Sequence, residues 1–347
     1  MDLAGRAHFR SIHVLRGAAA FSVLLFHLHV QLVRMGYDGW WPQFLQSGVD
    51  LFFVISGFVM WQTTAGRTVG VVDFYGKRLR RIAPLYWMMT TAIVVVALVV
   101  PSALQSTQIS LWHTLASYLF IPSVTPGDTI IAPVLLPGWT LNYEMFFYAI
   151  FGACLWMPTI WRLRIVPALL VAIVLAGLVF RPQASALAFW TSPIILEFGF
   201  GIIAGYMASS VSFSNGALAR LFILSLAVVM GTGNLELGES RWLLHGLPAA
   251  IMMLSLVGIE RAGALPHLPV LSRLGDCSYS LYLSHGLILS AVAQGWRGMG
   301  WSGSVMGWLT YMVCAVAAAV LVGWLVYRLV EKPAIGLVAS RRTPAAA

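Results

Sequence analysis

Arg16 and His27 stand 11 residues apart in the first apolar run of the chain. On a helix, 11 steps of 100° make three turns plus about 20°, so both side chains share one face, roughly 16 Å apart along the axis. An imidazole can take up or give back a proton near neutral pH, as a general base or acid must. A guanidinium is a ready partner for phosphate. Three carboxylates join His27 by position. Asp50 lies six residues into the apolar run from Phe44, Glu144 six into that from Gly138, and Glu197 seven into that from Trp190. His27 lies six residues short of Val33, so all four fall in one layer, roughly 9 Å from the same end of their helices. Ionisable groups inside a bilayer cost several kcal/mol, which makes each a candidate functional group. Four at one depth predict a polar reaction chamber, where a carboxylate beside His27 would hold its tautomer. The same layer also fits a proton or substrate relay in a transporter or flippase, and the residues alone leave both open.

A second cluster precedes Pro84. In Lys77-Arg78-Leu79-Arg80-Arg81, Arg78 and Arg81 are three apart and so neighbours on a helix. Paired guanidiniums suit bidentate phosphate contacts, although a basic run beside a membrane span also marks topology or meets lipid headgroups. His285 lies about six residues into its own apolar run and reads equally as core or site. Cys154, Cys277 and Cys314 are scattered, with no CxxC pair. They predict neither a disulfide framework nor a zinc site, and no metal is expected. Walker, GxGxxG, HExxH and GxSxG patterns are absent, which disfavours the common soluble catalytic designs.

The elements that must hold these groups are membrane helices. Of 347 residues, 59% are apolar and only 10% charged, against about 25% charged in soluble domains. That excludes an ordinary soluble globule and a disordered chain. A span needs about 20 mostly apolar residues. Runs near 14–33, 44–64, 83–100, 139–158, 165–180, 190–208, 217–231, 242–259, 279–294 and 304–327 meet or approach this, so an all-α fold of about ten transmembrane helices is expected. The run 111–121 is too short and reads as a re-entrant or interfacial helix. With both termini cytoplasmic, four of the 21 Lys and Arg lie outside (Arg34, Arg181, Arg241, Arg297) and the other 17 inside. That asymmetry obeys the positive-inside rule and would collapse if 111–121 crossed. The net charge of +9 therefore follows membrane sides, and nucleic acid is not an expected partner. The first run is too long for a cleaved signal peptide and lacks its exit pattern. A single domain over 1–335 and a short cytoplasmic tail over 336–347 are expected.

Six stretches in order carry a resemblance. They are LRGAAAFSVLLFH (15–27), GVDLFFVISGF (48–58), FYGKRLRRIAPLYW (74–87), GWTLNYEMFFY (138–148), LGDCSYSLYLSHGLIL (274–289) and EKP (331–333). The chain resembles the membrane-bound acyltransferase-3 family along nearly its whole length, with Arg16 and His27 matching that family's Arg and His separated by ten residues. Arg78 and Arg81 match its Arg-x-x-Arg. The wording of 48–58 and 138–148 looks most like the branch that O-acetylates bacterial exopolysaccharides of the succinoglycan type. The resemblance implies a multi-pass protein of the bacterial inner membrane that moves an acyl group, acetyl first, from cytoplasmic acetyl-CoA or another acyl-CoA to a sugar hydroxyl. The acceptor implied is a polysaccharide or lipid-linked oligosaccharide. Arg16, Arg78 and Arg81 are the expected donor-binding residues. His27 is the expected general base or transient acyl carrier, with Glu144 first and Asp50 second as its orienting partner. Glu197, Trp139, Tyr143 and His285 are the expected substrate contacts.

Overall fold

The computed structural model describes residues 9–99, 109–210 and 214–334; the tail expected over 336–347 lies outside them. Among the described residues thirteen α-helices follow one another, and no strand forms beyond an isolated Val124–Ile131 bridge. They are α1 (Arg10–Arg34), α2 (Gly48–Thr64), α3 (Val71–Val99), α4 (Leu111–Tyr118), α5 (Trp139–Ala153), α6 (Thr159–Phe180) and α7 (Ser185–Trp190). After these come α8 (Leu196–Ser210), α9 (Asn215–Thr232), α10 (Leu247–Arg261), α11 (Pro269–Asp276), α12 (Ser278–Gly298) and α13 (Val305–Val326).

Eight helical stretches among the described residues are long and apolar enough to cross a membrane. They contain α1, α2, α3, α6, α8, α9, α10 and α13. The two other expected spans correspond to α5, which has only 15 residues, and α12, which has 21 but buries Ser278, Ser280, Ser284 and His285. The chain is a polytopic, all-α membrane protein. Helix α4, with 8 residues, reaches about 12 Å and is too short to cross.

Burial sorts the helices by role. Of the apolar stretch of α2, 67% is buried against other helices, whereas for α6 and α9 the figure is 17%. The peripheral helices therefore turn apolar side chains toward lipid, and α2 stands at the centre. Its closest neighbour is α8. A Cβ on Gly57 would lie 2.0 Å from the Phe198 carbonyl oxygen, and one on Gly201 2.0 Å from that of Val54. Only glycine permits such an approach, and without a solvent-driven hydrophobic term this backbone contact is what joins two membrane helices.

Helices α1 and α12 run parallel. Arg16 bonds to Ser278 and, further along both helices, His27 meets His285. Helix α11 covers the first turns of α1, so α12 begins only where α1 has reached Arg16. Proline shapes three other stretches. Pro84 lies inside α3, which nevertheless continues from Val71 to Val99, placing Arg78 and Arg81 in the helix rather than before it. Pro248 and Pro333 each follow a five-residue π-turn, Trp242–Gly246 and Tyr327–Glu331. A proline lacks the N–H that would close the preceding α-turn, so the turn widens. The first of these turns follows Arg241, and the second ends on Glu331, which accepts a hydrogen bond from Ser280 at 2.5 Å.

Candidate functional site

Two cavities lie end to end along α1, α2 and α12. The larger, about 370 Å³, reaches from Thr63 to Val49, a length of about 21 Å along α2. Arg16, Arg78 and Arg81 line it together with Glu144. Arg16 donates from Nε and Nη2 to the Ser278 hydroxyl at 3.1 and 2.9 Å, and that hydroxyl donates to the Gly275 carbonyl at 2.8 Å. The Arg78 guanidinium lies 5.9 Å from the Tyr148 ring centroid and 5.7 Å from that of Phe74, while its Nε is buried without a hydrogen-bond partner. Tyr279 donates to the Ile82 carbonyl at 2.7 Å, which ties α12 to the turn of α3 next to Arg81. Glu144 accepts from Ser56 at 3.0 Å and from the Tyr148 hydroxyl. Three guanidiniums face one carboxylate, so this arginine cavity favours an anionic guest, and the orphaned Arg78 nitrogen is a donor suited to a phosphate oxygen.

The smaller cavity, about 250 Å³, holds His27, Trp139, Arg241 and Gln46. Residues 130–132 and 136–137 fold inward to wall it. The histidine tautomers follow from the partners. His285 Nδ1 lies 2.6 Å from the Tyr282 carbonyl, which can only accept, so Nδ1 carries the proton and the neutral ring leaves Nε2 bare. His27 Nδ1 lies 3.0 Å from the Val23 carbonyl and 3.2 Å from His285 Nε2. Both are acceptors, so His27 Nδ1 is the donor. The bare, basic nitrogen of His27 is therefore Nε2.

At the edge of this histidine cavity lies an ion pair whose carboxylate is buried and whose guanidinium lines the cavity. Asp50, with no exposed surface, receives Arg241 Nε at 2.9 Å and Nη2 at 2.8 Å in a two-pronged grip. Arg241 also donates to the Gln46 side chain and carbonyl, both at 3.2 Å. Glu197 and His245, fully buried, feel the charges of both members of the pair.

The expected single layer divides. Asp50 and Glu197 do come together, but Glu144 lies with Ser56, six residues along α2 from Asp50, or about 9 Å. Counting depth from Gly138 assumes that the helix begins at a membrane surface. In fact α5 begins level with Tyr282, whose hydroxyl is 3.1 Å from that of Thr140, because segment 130–137 has already turned inward. Glu144 is thus not the hydrogen-bond partner of His27, and neither is Asp50, which is taken by Arg241. His285 is that partner. Among the four expected substrate contacts, Trp139 alone lines either cavity. Tyr143 stacks on Phe189 at 4.0 Å, while Glu197 and His285 are buried behind the walls. Arg241, Tyr282, Ser278 and Tyr148 were missed. For Arg241 a signal existed: a buried Asp50 demands a cation, and Arg241 is one of only four assigned to that side.

A family described as an acyltransferase domain matches residues 9–328. Exopolysaccharide production protein ExoZ of Rhizobium meliloti (strain 1021) is 37% identical over 302 residues, 86% of this chain and 92% of that protein. Acyltransferase MdmB of Streptomyces mycarofaciens is 26% identical over 336 residues, 86% and 83% of the two chains. Peptidoglycan O-acetyltransferase OatA of Listeria monocytogenes is 26% identical over 181 residues, 49% of this chain and 27% of that one. No solved structure matches the chain.

Proposed function

The chain belongs to the acyltransferase-3 family, and from that premise we propose that it moves an acyl group, acetyl first, from cytoplasmic acyl-CoA to a hydroxyl of an exopolysaccharide or its lipid-linked precursor. It is a multi-pass membrane O-acyltransferase; the donor, the acceptor and the residue roles are the proposal. A polysaccharide acceptor is supported by relatives whose names specify exopolysaccharide production and peptidoglycan O-acetylation. With both termini on the cytoplasmic side of a bacterial inner membrane, the arginine cavity opens toward the donor and the histidine cavity toward the acceptor.

The observation that carries this reading is the pairing of an anion-selecting cavity with a basic imidazole at its far end. Arg16, Arg78 and Arg81 hold the donor's phosphates, and Ser278 fixes the Arg16 fork. Trp139 offers a flat face for a sugar ring in the acceptor cavity. His27 Nε2 takes the proton of the acceptor hydroxyl as its oxygen bonds to the acyl carbon. The carbon–sulfur bond breaks, and the imidazolium returns the proton to the departing thiolate. His285, through its bond to His27 Nδ1, keeps Nε2 as the bare nitrogen before the proton arrives and after it leaves.

Purified protein in lipid nanodiscs, given acetyl-labelled CoA ester and a de-O-acetylated succinoglycan-type polysaccharide, tests the proposal. Thiol release and label on the polysaccharide that vanish in His27→Ala are expected. Absence of thiol release in the wild type, with proton-coupled flux in proteoliposomes, would return the histidine to a transport relay.

A further inference from the structure

The two cavities share just two lining residues, Val49 of α2 and Tyr282 of α12. Both are buried, at 6% and 7% exposure, so they form a partition rather than a surface. The Tyr282 ring is fixed on several sides. Its hydroxyl lies 3.1 Å from that of Thr140 and 3.3 Å from the Pro137 carbonyl, and Thr140 donates to the same carbonyl at 3.0 Å. The ring meets Phe52 edge-on at 5.6 Å. Val49 is β-branched and stiff at its first side-chain torsion within a helix. A throat built from one anchored ring and one stiff side chain cannot widen without breaking these contacts.

We infer that Val49 and Tyr282 set the size of the acyl group this protein transfers. The inference rests on the proposed donor in the arginine cavity and deepens it. The transferred carbon must come within reach of the hydroxyl that His27 activates, and His27 lines only the far cavity. Oxygen bonds to that carbon, the bond to sulfur breaks, and the hydroxyl proton passes through His27 to the thiolate. Whatever hangs from the carbon is then held at the throat. An acetyl group brings only a methyl to Val49 and Tyr282, and each further methylene adds volume that these two side chains must accommodate. Packed apolar walls discriminate single methylenes by about 10- to 200-fold.

The test compares acetyl-, propionyl- and butyryl-CoA as donors to de-O-acetylated polysaccharide, with full-length protein in nanodiscs. Val49→Ala should raise the butyryl-to-acetyl ratio of kcat/KM by about tenfold or more. Tyr282→Phe keeps the ring but frees its anchor, and should move the ratio in the same direction by a smaller factor. Val59→Ala, in the arginine cavity ten residues along α2, should leave the ratio unchanged. A ratio equal to wild type in both throat variants, with acetyl turnover retained or lowered alongside butyryl, overturns the inference. So does a shift as large in Val59→Ala. Wild-type protein that consumes none of the three donors would instead overturn the donor reading, and the throat with it.

Discussion

His285 Nε2 lies 3.2 Å from His27 Nδ1, and neither ring has a carboxylate as hydrogen-bond partner. A carboxylate behind a histidine stabilises the imidazolium, whereas a neutral imidazole orients it without that charge. The pair therefore fixes a tautomer more than it raises basicity. Loss of His27 as alanine should lower turnover by at least about 100-fold, measured as thiol release from acyl-CoA, while the protein still inserts and purifies. His285→Gln, which can present a side-chain oxygen toward His27 Nδ1, should retain more activity than His285→Ala. The two variants should differ in kcat with little change in KM for the donor. Equal loss in both would mean that His285 serves packing alone.

Removing guanidiniums from the arginine cavity should act on donor binding. Arg78→Ala with Arg81→Ala is expected to raise KM for acyl-CoA about 10-fold or more, given the strength of charged bidentate contacts to phosphate. The maximal rate should fall by much less. Steady-state kinetics across donor concentrations reads this directly, and an unchanged KM would return the cluster to a topology signal.

Glu144 is the one carboxylate among those guanidiniums, and it is bound to Ser56 and Tyr148 rather than to His27. Glu144→Gln should therefore change donor KM and leave the pH dependence of kcat where it is. A loss like that of His27→Ala, with a shifted pH profile, would make Glu144 part of the proton path after all.

The buried Asp50–Arg241 pair makes a stability prediction. Arg241→Ala strands a carboxylate with no exposed surface, and breaking such a pair from one side costs about 3–5 kcal/mol. A marked fall in the melting temperature in detergent is expected. Combining it with Asp50→Asn should recover part of the loss, since the double change no longer strands the Asp50 carboxylate. If the double variant melts at the lower temperature of the single one, the two residues do not act as a pair.

Much of this was legible in the chain. The face shared by Arg16 and His27, the Arg78/Arg81 pair and the failure of 111–121 to span all follow from 100° per residue and 1.5 Å of rise, which a regular helix obeys. What failed was depth. Glu144 was misplaced by about 9 Å because an irregular segment, 130–137, carries the chain inward before α5 starts, and no periodicity announces such a segment. His285 was placed near one end of its run, yet α12 starts late because α11 already covers the foot of α1. Arg241 was counted as a loop charge, although the π-turn before Pro248 follows it directly and its side chain turns in to Asp50. Tyr282 carried no sequence signal, since a tyrosine in an apolar helix is as often packing as partition.

The polarity of α12 and the shortness of α5 reach beyond the finished fold. These two helices supply His285, Tyr282, Ser278, Glu144 and Trp139, and of the ten expected spans they are the two that fall short of an autonomous span by length or composition. A helix with a weak claim on the bilayer needs a polar-tolerant neighbour to stay there, because lipid offers Ser, His and Glu no partner. For α12 those neighbours are α1, made long before it, and α13, made just after and far more apolar. The walls of the two cavities are thus completed late in synthesis, when the first helix already waits with Arg16 and His27 in place. Substitutions that weaken α13 should then appear as loss of inserted protein, although α13 lines neither cavity.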